Sequence, residues 1–158
     1  MIYGIGVEVA RQCKLLGIHI NFAPVVDVNS NSKNPIINNR SFGENPEKVG
    51  RMGVAYMKGM QDNHVLACAK HFPGHGDTET DSHSSLAQIP SDSTRLWSVE
   101  LKPFKKVIDA GVDAVMVAHV NAPDFQEHAE NPATLSEFWI QDILKTKLGF
   151  EGIVITAV

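Results

Sequence analysis

The chain has 158 residues, a net charge of −4 and an apolar fraction of 43%. This length suits a single domain with its own core. Because the charge balance is acidic and no basic run is present, we expect no nucleic-acid partner. No apolar stretch is long enough to span a membrane, so we expect no membrane partner either. No signal peptide is recognisable at the start of the chain, and the compartment, whether cytoplasmic, periplasmic or secreted, stays undetermined.

The start of the chain predicts a helix, a strand and a long loop. Apolar residues at helical spacing predict a helix over 2–16, which Gly17 ends. Residues 18–28 predict a strand whose end is made irregular by Pro24. Residues 29–44 are rich in Asn and Ser and predict a loop. The apolar residues of the predicted helix are Ile2, Ile5, Val9, Cys13 and Leu16.

A second helix and a second strand follow. Asn45-Pro46-Glu47 is typical of a helix start, because it offers a capping side chain, a proline for the first turn and an acid near the positive end of the helix dipole. This helix is predicted to run to about Asp62. Residues 65–71 predict the next strand, and residues 72–92 a loop long enough to be functional. The predicted buried face of the helix consists of Val49, Met52, Tyr56 and Met60.

The remaining residues repeat the alternation of helix and strand. Residues 94–110 predict a helix that is broken at Pro103, and residues 113–119 predict a third strand. A helix is predicted over 137–148 and a fourth strand over 153–156. Continuous apolar strands that alternate with helices predict a parallel α/β sheet.

Two architectures fit this alternation: a complete small doubly wound domain, or part of a (β/α)₈ barrel, which needs about 250 residues. Polar residues gather just beyond the carboxyl ends of the predicted strands, where a barrel carries its active site. The chain also begins within a predicted helix and stops after a strand. The sequence therefore favours a partial TIM-like barrel with about four parallel strands, in which residues 1–158 are an internal fragment of one barrel domain. The residues at the strand ends are Asp27, Lys70, His71, His119 and Asn121.

The densest cluster of reactive side chains lies in residues 70–83, which hold three histidines, two aspartates, a glutamate and a lysine. Asp81 and His83 are two residues apart in the predicted loop. An aspartate beside a histidine can fix its tautomer, and such a histidine can act as a general acid and base near neutral pH. The alternative for this pair is an ordinary solvated polar loop.

Four further residues predict contacts with hydroxyl groups of a substrate. Lys70 and His71 leave the apolar strand together, and a lysine in such a strand is costly to bury without a partner. Asp27 supplies an acceptor at another strand end, and Arg40 offers a fork of donors. The alternative for Lys70 and Arg40 is a charge that simply reaches the solvent.

Histidine and carboxylate side chains also suit a divalent metal. A proline and a glycine separate His71 from His75, so the two are not the pair on one helix face that zinc proteases use, and we expect no metal and no other cofactor. Cys13 and Cys68 lie in apolar surroundings and predict buried free thiols rather than a disulfide. The residues of the metal alternative are His71, His75, Asp77, Asp81 and His83.

The segment Lys70-His71-Phe72-Pro73-Gly74-His75-Gly76, followed by Asp81-Ser82-His83, resembles the signature of glycoside hydrolase family 3 on its β-N-acetylglucosaminidase branch. Residues 22–28, 40–43, 117–119 and 149–154 add further matches in the order of that family. The resemblance implies a TIM-like barrel. It also implies a carbohydrate substrate, with terminal β-linked N-acetylglucosamine (or glucose) removed by a retaining, two-step mechanism.

The resemblance also implies a role for each candidate residue. His83 corresponds to the acid/base catalyst and Asp81 to its partner. The substrate-binding positions correspond to Asp27, Arg40, Lys70 and His71.

One position departs from the family pattern. The nucleophilic aspartate of the family follows the strand that here covers residues 153–156, and this sequence has Ala157 there. A retaining glycosidase cannot form its covalent intermediate without that carboxylate. We therefore expect this chain alone to be inactive, and the alternative function is that of a noncatalytic sugar-binding or scaffold fragment. Open sheet edges further predict a homo-oligomer.

Overall fold

A computed structural model describes residues 1–78, 87–89, 92–122 and 131–157. The helices are α1 (Ile2–Leu15), α2 (Pro46–Gln61), α3 (Ser93–Arg95) and α4 (Leu101–Asp109). The strands are β1 (Ile20–Asn21), β2 (Leu66–Phe72), β3 (Ala87–Gln88), β4 (Ala114–Val117), β5 (Val120–Asn121) and β6 (Ile153–Thr156). Two π-helical segments cover Leu96–Glu100 and Phe138–Lys147, and two short 3₁₀ turns cover Asn38–Arg40 and Ala133–Leu135.

The main sheet has four parallel strands in the order β1-β2-β4-β6. A separate parallel pair, β3 and β5, lies outside it. The prediction of about four parallel strands that alternate with helices is therefore confirmed.

The two faces of the main sheet carry different layers. Side chains on one face join the helices in the large core, where Phe72 stacks edge-to-face on Phe104 and Trp139 at ring-centroid distances of 5.4 and 6.1 Å. The other face carries a small apolar cluster that consists of strand residues and one residue just beyond a strand. Helices on one side and strand side chains alone on the other are the arrangement of a barrel wall rather than of a doubly wound sheet. The small cluster contains Cys68, Ala114 and Met116, with Ile20, Ile155 and Ala157 packed against it.

The contact between α1 and α2 depends on glycines, and it corrects the predicted faces of both helices. A Cβ atom on Gly6 would collide with the carbonyl oxygen of Tyr56, and one on Gly59 with that of Tyr3. Because the two backbones approach so closely, α1 buries Gly6, Ala10 and Cys13, whereas Ile5 and Leu16 are exposed. In α2, Val49 and Met60 are buried as predicted, but Met52 and Tyr56 are only partly buried, and the other buried residues are Gly50, Gly53, Met57 and Gly59.

Several predicted boundaries were wrong. The strand predicted over 18–28 is reduced to two residues, because Pro24 interrupts the ladder before the single bridge between Val25 and Lys70. The helix over 94–110 changes its winding at a π-helical segment that ends before Pro103, not at the proline itself. The second helix start was right, since the Asn45 side chain accepts a hydrogen bond from the Lys48 amide.

Candidate active site

Two neighbouring chain segments bring Asp27 and His71 together at the carboxyl end of the main sheet. Val25 pairs with Lys70, and the amide of Val26 donates to the carbonyl of Lys70 at 2.8 Å. Asp27 follows Val25 by two residues and His71 follows Lys70 by one, so both lie just beyond this parallel bridge at the same end of the sheet. The register of the sheet therefore creates this pair.

The Asp27 side chain is fully buried and accepts three hydrogen bonds. The His71 ring nitrogen Nδ1 lies 2.7 Å and the His71 amide 3.1 Å from Oδ2. The His75 amide donates to Oδ1 at 2.7 Å. A carboxylate offers about four lone-pair sites, so one acceptor site remains.

The pKa of Asp27 is lower than its ordinary value despite complete burial. Burial by itself raises the pKa of this carboxyl, but the electrostatic interaction with His71 and the hydrogen bonds from His71 and His75 more than offset that effect. The charged carboxylate is thus the form that this site holds.

The carboxylate also fixes the orientation of the His71 ring. Nδ1–H donates to Asp27, which turns Nε2 towards the Arg40 guanidinium, whose Nη2 lies 3.4 Å away. A guanidinium only donates hydrogen bonds, so this contact selects the tautomer of neutral His71 that has a lone pair on Nε2.

Lys70 shares this site. It is half-buried, and its pKa is lowered first by burial and then by the like charge of Arg40, while Cys68 and Asp27 act in the opposite direction. The β2–β4 ladder pairs Lys70 with Met116 and Phe72 with Val117, which leaves His71 as an extra residue in β2. Such a bulge redirects side chains, and it allows Lys70 and His71, adjacent in sequence, to serve one site.

All four predicted substrate-binding residues therefore come together at one end of the sheet, although Arg40 belongs to an exposed turn. Asp81 and His83, the predicted acid/base pair, lie outside the described residues. Their roles stay predictions, as do the sugar contacts of the other four.

A loop-to-loop brace behind the site was not anticipated from the sequence. The Asn34 side chain is buried, and its Nδ2 donates to the His75 carbonyl at 2.7 Å. Its Oδ1 accepts from the amides of Ile36 and Ile37 at 2.9 and 2.8 Å. The Thr78 hydroxyl oxygen, buried beside it, lies 2.6 Å from the Nδ1 atom of His75. The signal that could have revealed this brace is Asn34 in front of Ile36 and Ile37, since an Asn side chain can cap the amides that follow it.

The glycines of the signature allow a close approach of backbones. A Cβ atom on Gly76 would collide with the carbonyl oxygen of Val28. Gly74 has φ of 131°, a conformation that L side chains rarely adopt, and a Cβ there would lie 2.8 Å from Cβ of Glu100. Because these two glycines have no side chains, residues 73–78 pack closely against Val28 and Glu100.

Beneath that segment lies a second group of charges. Nη2 of Arg95 is 3.0 Å from Oδ2 of Asp77 and 3.5 Å from Oε1 of Glu100. Burial raises the pKa of Glu100 to about 7; the charge of Arg95 opposes the rise, and the charges of Asp77 and Asp27 add to it.

Several other expectations concern single side chains. The two cysteines are free and buried, as predicted, and burial raises the pKa of Cys68 to about 12, so its thiol stays protonated. Within residues 1–78, 87–89, 92–122 and 131–157, no group of three His, Cys, Asp or Glu side chains is placed to hold a metal ion. In the same ranges no helix has both the length and the apolar character to cross a membrane.

Ala157 follows β6 at the same end of the sheet as the cluster around Asp27. Its amide donates to the Val117 carbonyl at 2.9 Å, which continues the β4–β6 pairing by one residue. Its side chain belongs to the small apolar cluster of the second sheet face. A methyl group at this position offers neither a nucleophile nor a hydrogen bond.

Comparison with known proteins gives a consistent result. Residues 1–157 match the glycosyl hydrolase family 3 N terminal domain. The chain is 39% identical to Beta-hexosaminidase A of Pseudoalteromonas piscicida, an alignment that covers 94% of this chain and 26% of that protein. It is 42% identical to a Beta-hexosaminidase of Stenotrophomonas maltophilia, with 92% of this chain and 42% of that protein covered. The chain thus spans less than half the length of these curated relatives.

Solved structures agree with the sequence relatives. A glycoside hydrolase family 3 beta-N-acetylglucosaminidase from Paenibacillus superposes with a TM-score of 0.95 at 45% identity, over 99% of this chain and 30% of that one. NagZ from Neisseria gonorrhoeae, solved with N-trifluoroacetyl-D-glucosamine, gives 0.90 at 36% identity, over 99% of this chain and 45% of that one. The resemblance drawn from the sequence is confirmed: the chain belongs to glycosyl hydrolase family 3, within its N-terminal barrel domain.

Proposed function

We propose that this chain is a section of the barrel domain of a longer retaining glycosidase that removes terminal β-linked N-acetylglucosamine. Two kinds of evidence support this proposal. The curated relatives carry the name beta-hexosaminidase, and the chain covers only 26% and 42% of the two compared above. The arrangement of polar groups around Asp27 supplies the chemistry that a sugar ring requires.

The single observation that carries the proposal is the convergence of Asp27, His71, Lys70 and Arg40. The ammonium and the guanidinium offer several donors, and the His71 ring lies between the Arg40 guanidinium and the buried carboxylate. A sugar presents neighbouring hydroxyl groups that both donate and accept hydrogen bonds. Charge-assisted hydrogen bonds of this kind are the strong ones, so the cluster suits a ring whose hydroxyls must be held in one orientation.

In the proposed reaction, His83 donates a proton to the glycosidic oxygen while the bond from that oxygen to the anomeric carbon breaks. A carboxylate on the opposite side of the sugar attacks the anomeric carbon and forms the glycosyl-enzyme bond. Water then attacks the anomeric carbon, His83 accepts a proton from that water, and the bond to the carboxylate breaks. Asp81 keeps the imidazole of His83 in the required tautomer. In this chain Ala157 cannot supply the attacking carboxylate.

The proposal is tested by assaying chromogenic N-acetylglucosaminide and glucoside substrates. The full-length protein with Ala157→Asp is compared with the unaltered full-length protein and with the unaltered chain of 158 residues. We expect the variant to hydrolyse the N-acetylglucosaminide faster than the glucoside, and the unaltered chain of 158 residues to hydrolyse neither. No hydrolysis by the variant would refute the catalytic proposal.

Ala157 favours a second candidate function, a noncatalytic sugar-binding or scaffold role. In that case the full-length protein would bind N-acetylglucosamine, measurable by titration calorimetry, and would turn over no glycoside even with Ala157→Asp. The two candidates differ in turnover, whereas both require the cluster around Asp27 to bind the sugar.

A further inference from the structure

Glu100 is a buried carboxyl group for which the proposed reaction has no use. It ends the π-helical segment Leu96–Glu100, and its side chain is 1% exposed. Neither of its carboxylate oxygens makes a hydrogen bond within the described part of the chain. A buried carboxyl without hydrogen bonds is costly, and its persistence at this place requires an explanation.

Glu100 lies directly under the segment of residues 73–78. The Cβ and Cγ atoms of Glu100 occupy the space beside Gly74, where an added Cβ would lie 2.8 and 2.9 Å from them. The same segment supplies the His75 amide that donates to Asp27. Residues 79–86, with the predicted acid/base pair, follow it in the chain.

One guanidinium links Glu100 to this segment. Arg95 lies 3.5 Å from Glu100 and 3.0 Å from Asp77, so a single cation contacts a carboxylate in the core and a carboxylate of the segment. The charged groups that act on Glu100 are Arg95 from α3, Asp77 from the segment and Asp27 from the loop after β1. Only the first attracts its negative charge.

We propose that Glu100 is a positioning residue: when protonated it packs under Gly74 while Arg95 holds Asp77, which fixes residues 73–78, and when ionised, without hydrogen bonds from the described residues, it loosens this packing. The inference rests on the proposed function, because it is the sugar site and the acid/base loop that residues 73–78 support. Burial brings the titration of Glu100 near neutral pH, with a pKa of about 7, so one proton separates the two states under ordinary conditions.

The test is amide hydrogen exchange, followed by mass spectrometry, on the full-length protein between pH 5.5 and 8.5. Exchange rates are corrected for their intrinsic pH dependence. We expect the protection of residues 73–78 in the unaltered protein to fall about tenfold as the pH rises across this range, because ionisation of the buried carboxyl weakens its packing against the segment. In Glu100→Gln this fall should be absent. Glu47→Gln, which removes an exposed carboxylate paired with Lys102 and Lys106, should behave like the unaltered protein.

A fall that persists in Glu100→Gln, or protection that does not fall with rising pH in the unaltered protein, would overturn the proposal. If Glu100→Gln does not fold, Glu100→Met provides the same test, with a flat profile in support and a persistent fall against. Because the measurement reads the backbone and not turnover, it can succeed in a protein that hydrolyses no glycoside, and it can fail in one that does. Failure of this inference is therefore distinguishable from failure of the proposed function.

Discussion

Two buried carboxyl groups, Asp27 and Glu100, both contact residues 73–78 and behave in opposite ways. Asp27 accepts three hydrogen bonds, and its pKa falls below the ordinary value. Glu100 accepts none from the described residues, and burial raises its pKa to about 7. Burial raises the pKa of both groups. The difference therefore shows that hydrogen-bond donors, and not the extent of burial, decide which carboxyl stays ionised.

The largest expected effect is the loss of turnover when the acid catalyst is removed. It shows whether Glu100 could itself be that catalyst. A carboxyl group that titrates near pH 7 has the property expected of a general acid, but Glu100 is buried under Gly74 and cannot contact a substrate. In an active full-length protein, His83→Ala should lower turnover about 10²–10⁴-fold, the range typical of general acid–base catalysis. Glu100→Gln should cost less than about tenfold, since it acts only through position. Equal losses, measured on a substrate with a poor leaving group, would contradict the assignment of His83.

Removing the hydrogen-bonded carboxylate should be costly for stability. Asp27→Ala leaves the His71 ring and the His75 amide without their acceptor, and we expect a loss of about 3–5 kcal/mol in the free energy of unfolding. Asp109→Ala is the matched control, because that carboxylate is exposed and its one ion pair within the described residues is with Lys105, and it should change stability by less than about 1 kcal/mol. Urea denaturation at pH 7 measures both. A loss at Asp27 as small as at Asp109 would show that the three hydrogen bonds add little.

Glu100 should have the opposite effect on stability. Its pKa in the folded protein, about 7, lies above the ordinary value of 4.5, so the folded state binds the proton more tightly. The stability due to the neutral group is fully present below pH 4.5 and is lost as the pH rises through 7. Glu100→Gln should therefore match the unaltered protein at pH 4.5 and exceed it by up to about 3 kcal/mol at pH 8.5. Denaturation of both proteins at the two pH values provides the measurement, and a destabilised variant at pH 8.5 would argue against it.

The proposed sugar-binding residues Lys70 and Arg40 differ from the two buried carboxyl groups, because their loss should weaken sugar binding and not the fold. Lys70→Ala and Arg40→Ala should each weaken binding of N-acetylglucosamine about 10- to 100-fold, as expected for lost charged hydrogen bonds of about 1.5–3 kcal/mol. Neither should unfold the protein, because Arg40 is exposed and Lys70 is half-buried. Lys48→Ala, an exposed lysine on α2, serves as the control in the calorimetric titration. Unchanged affinity in the two site variants would show that the cluster is not the sugar site.

The smallest expected effect is the turnover of a glycoside by the isolated chain of 158 residues. A methyl group at position 157 cannot replace a nucleophile, and Asp77 and Asp81 belong by sequence to the predicted acid/base loop. A retaining mechanism needs its two catalytic groups on opposite sides of the scissile bond, so we expect no turnover. The edge strands β1 and β6 and the exposed Ile153 further predict self-association. Light scattering combined with a glycosidase assay tests both points, and a monomer with sustained turnover would refute them.

The sequence predicted the sugar cluster because parallel strands end at one edge. Asp27 and His71 each follow an apolar stretch, so their meeting needed only the sheet topology. Arg40 was harder to assign to the site, because a loop residue follows no periodic pattern. Its assignment depended on the resemblance to the family.

Glu100 could not be predicted in the same way. In Leu96-Trp97-Ser98-Val99-Glu100 it has the pattern of an ordinary helix residue that faces solvent. Its burial follows from the π-helical winding of Leu96–Glu100 and from the missing side chain of Gly74, two features that belong to different segments. The glycine contact between α1 and α2 escaped prediction for a related reason, because apolar periodicity marks large side chains and not the small residues that let helices approach.

The central claim is that Asp27, His71, Lys70 and Arg40 form the sugar site, and a crystal structure of the full-length protein with N-acetylglucosamine tests it most directly. The account predicts sugar hydroxyls at hydrogen-bond distance, about 2.7–3.2 Å, from Lys70 Nζ and from the Arg40 guanidinium, with the Asp27–His71 pair intact beneath the ring. A sugar bound elsewhere, with these four side chains in contact only with solvent, would contradict it.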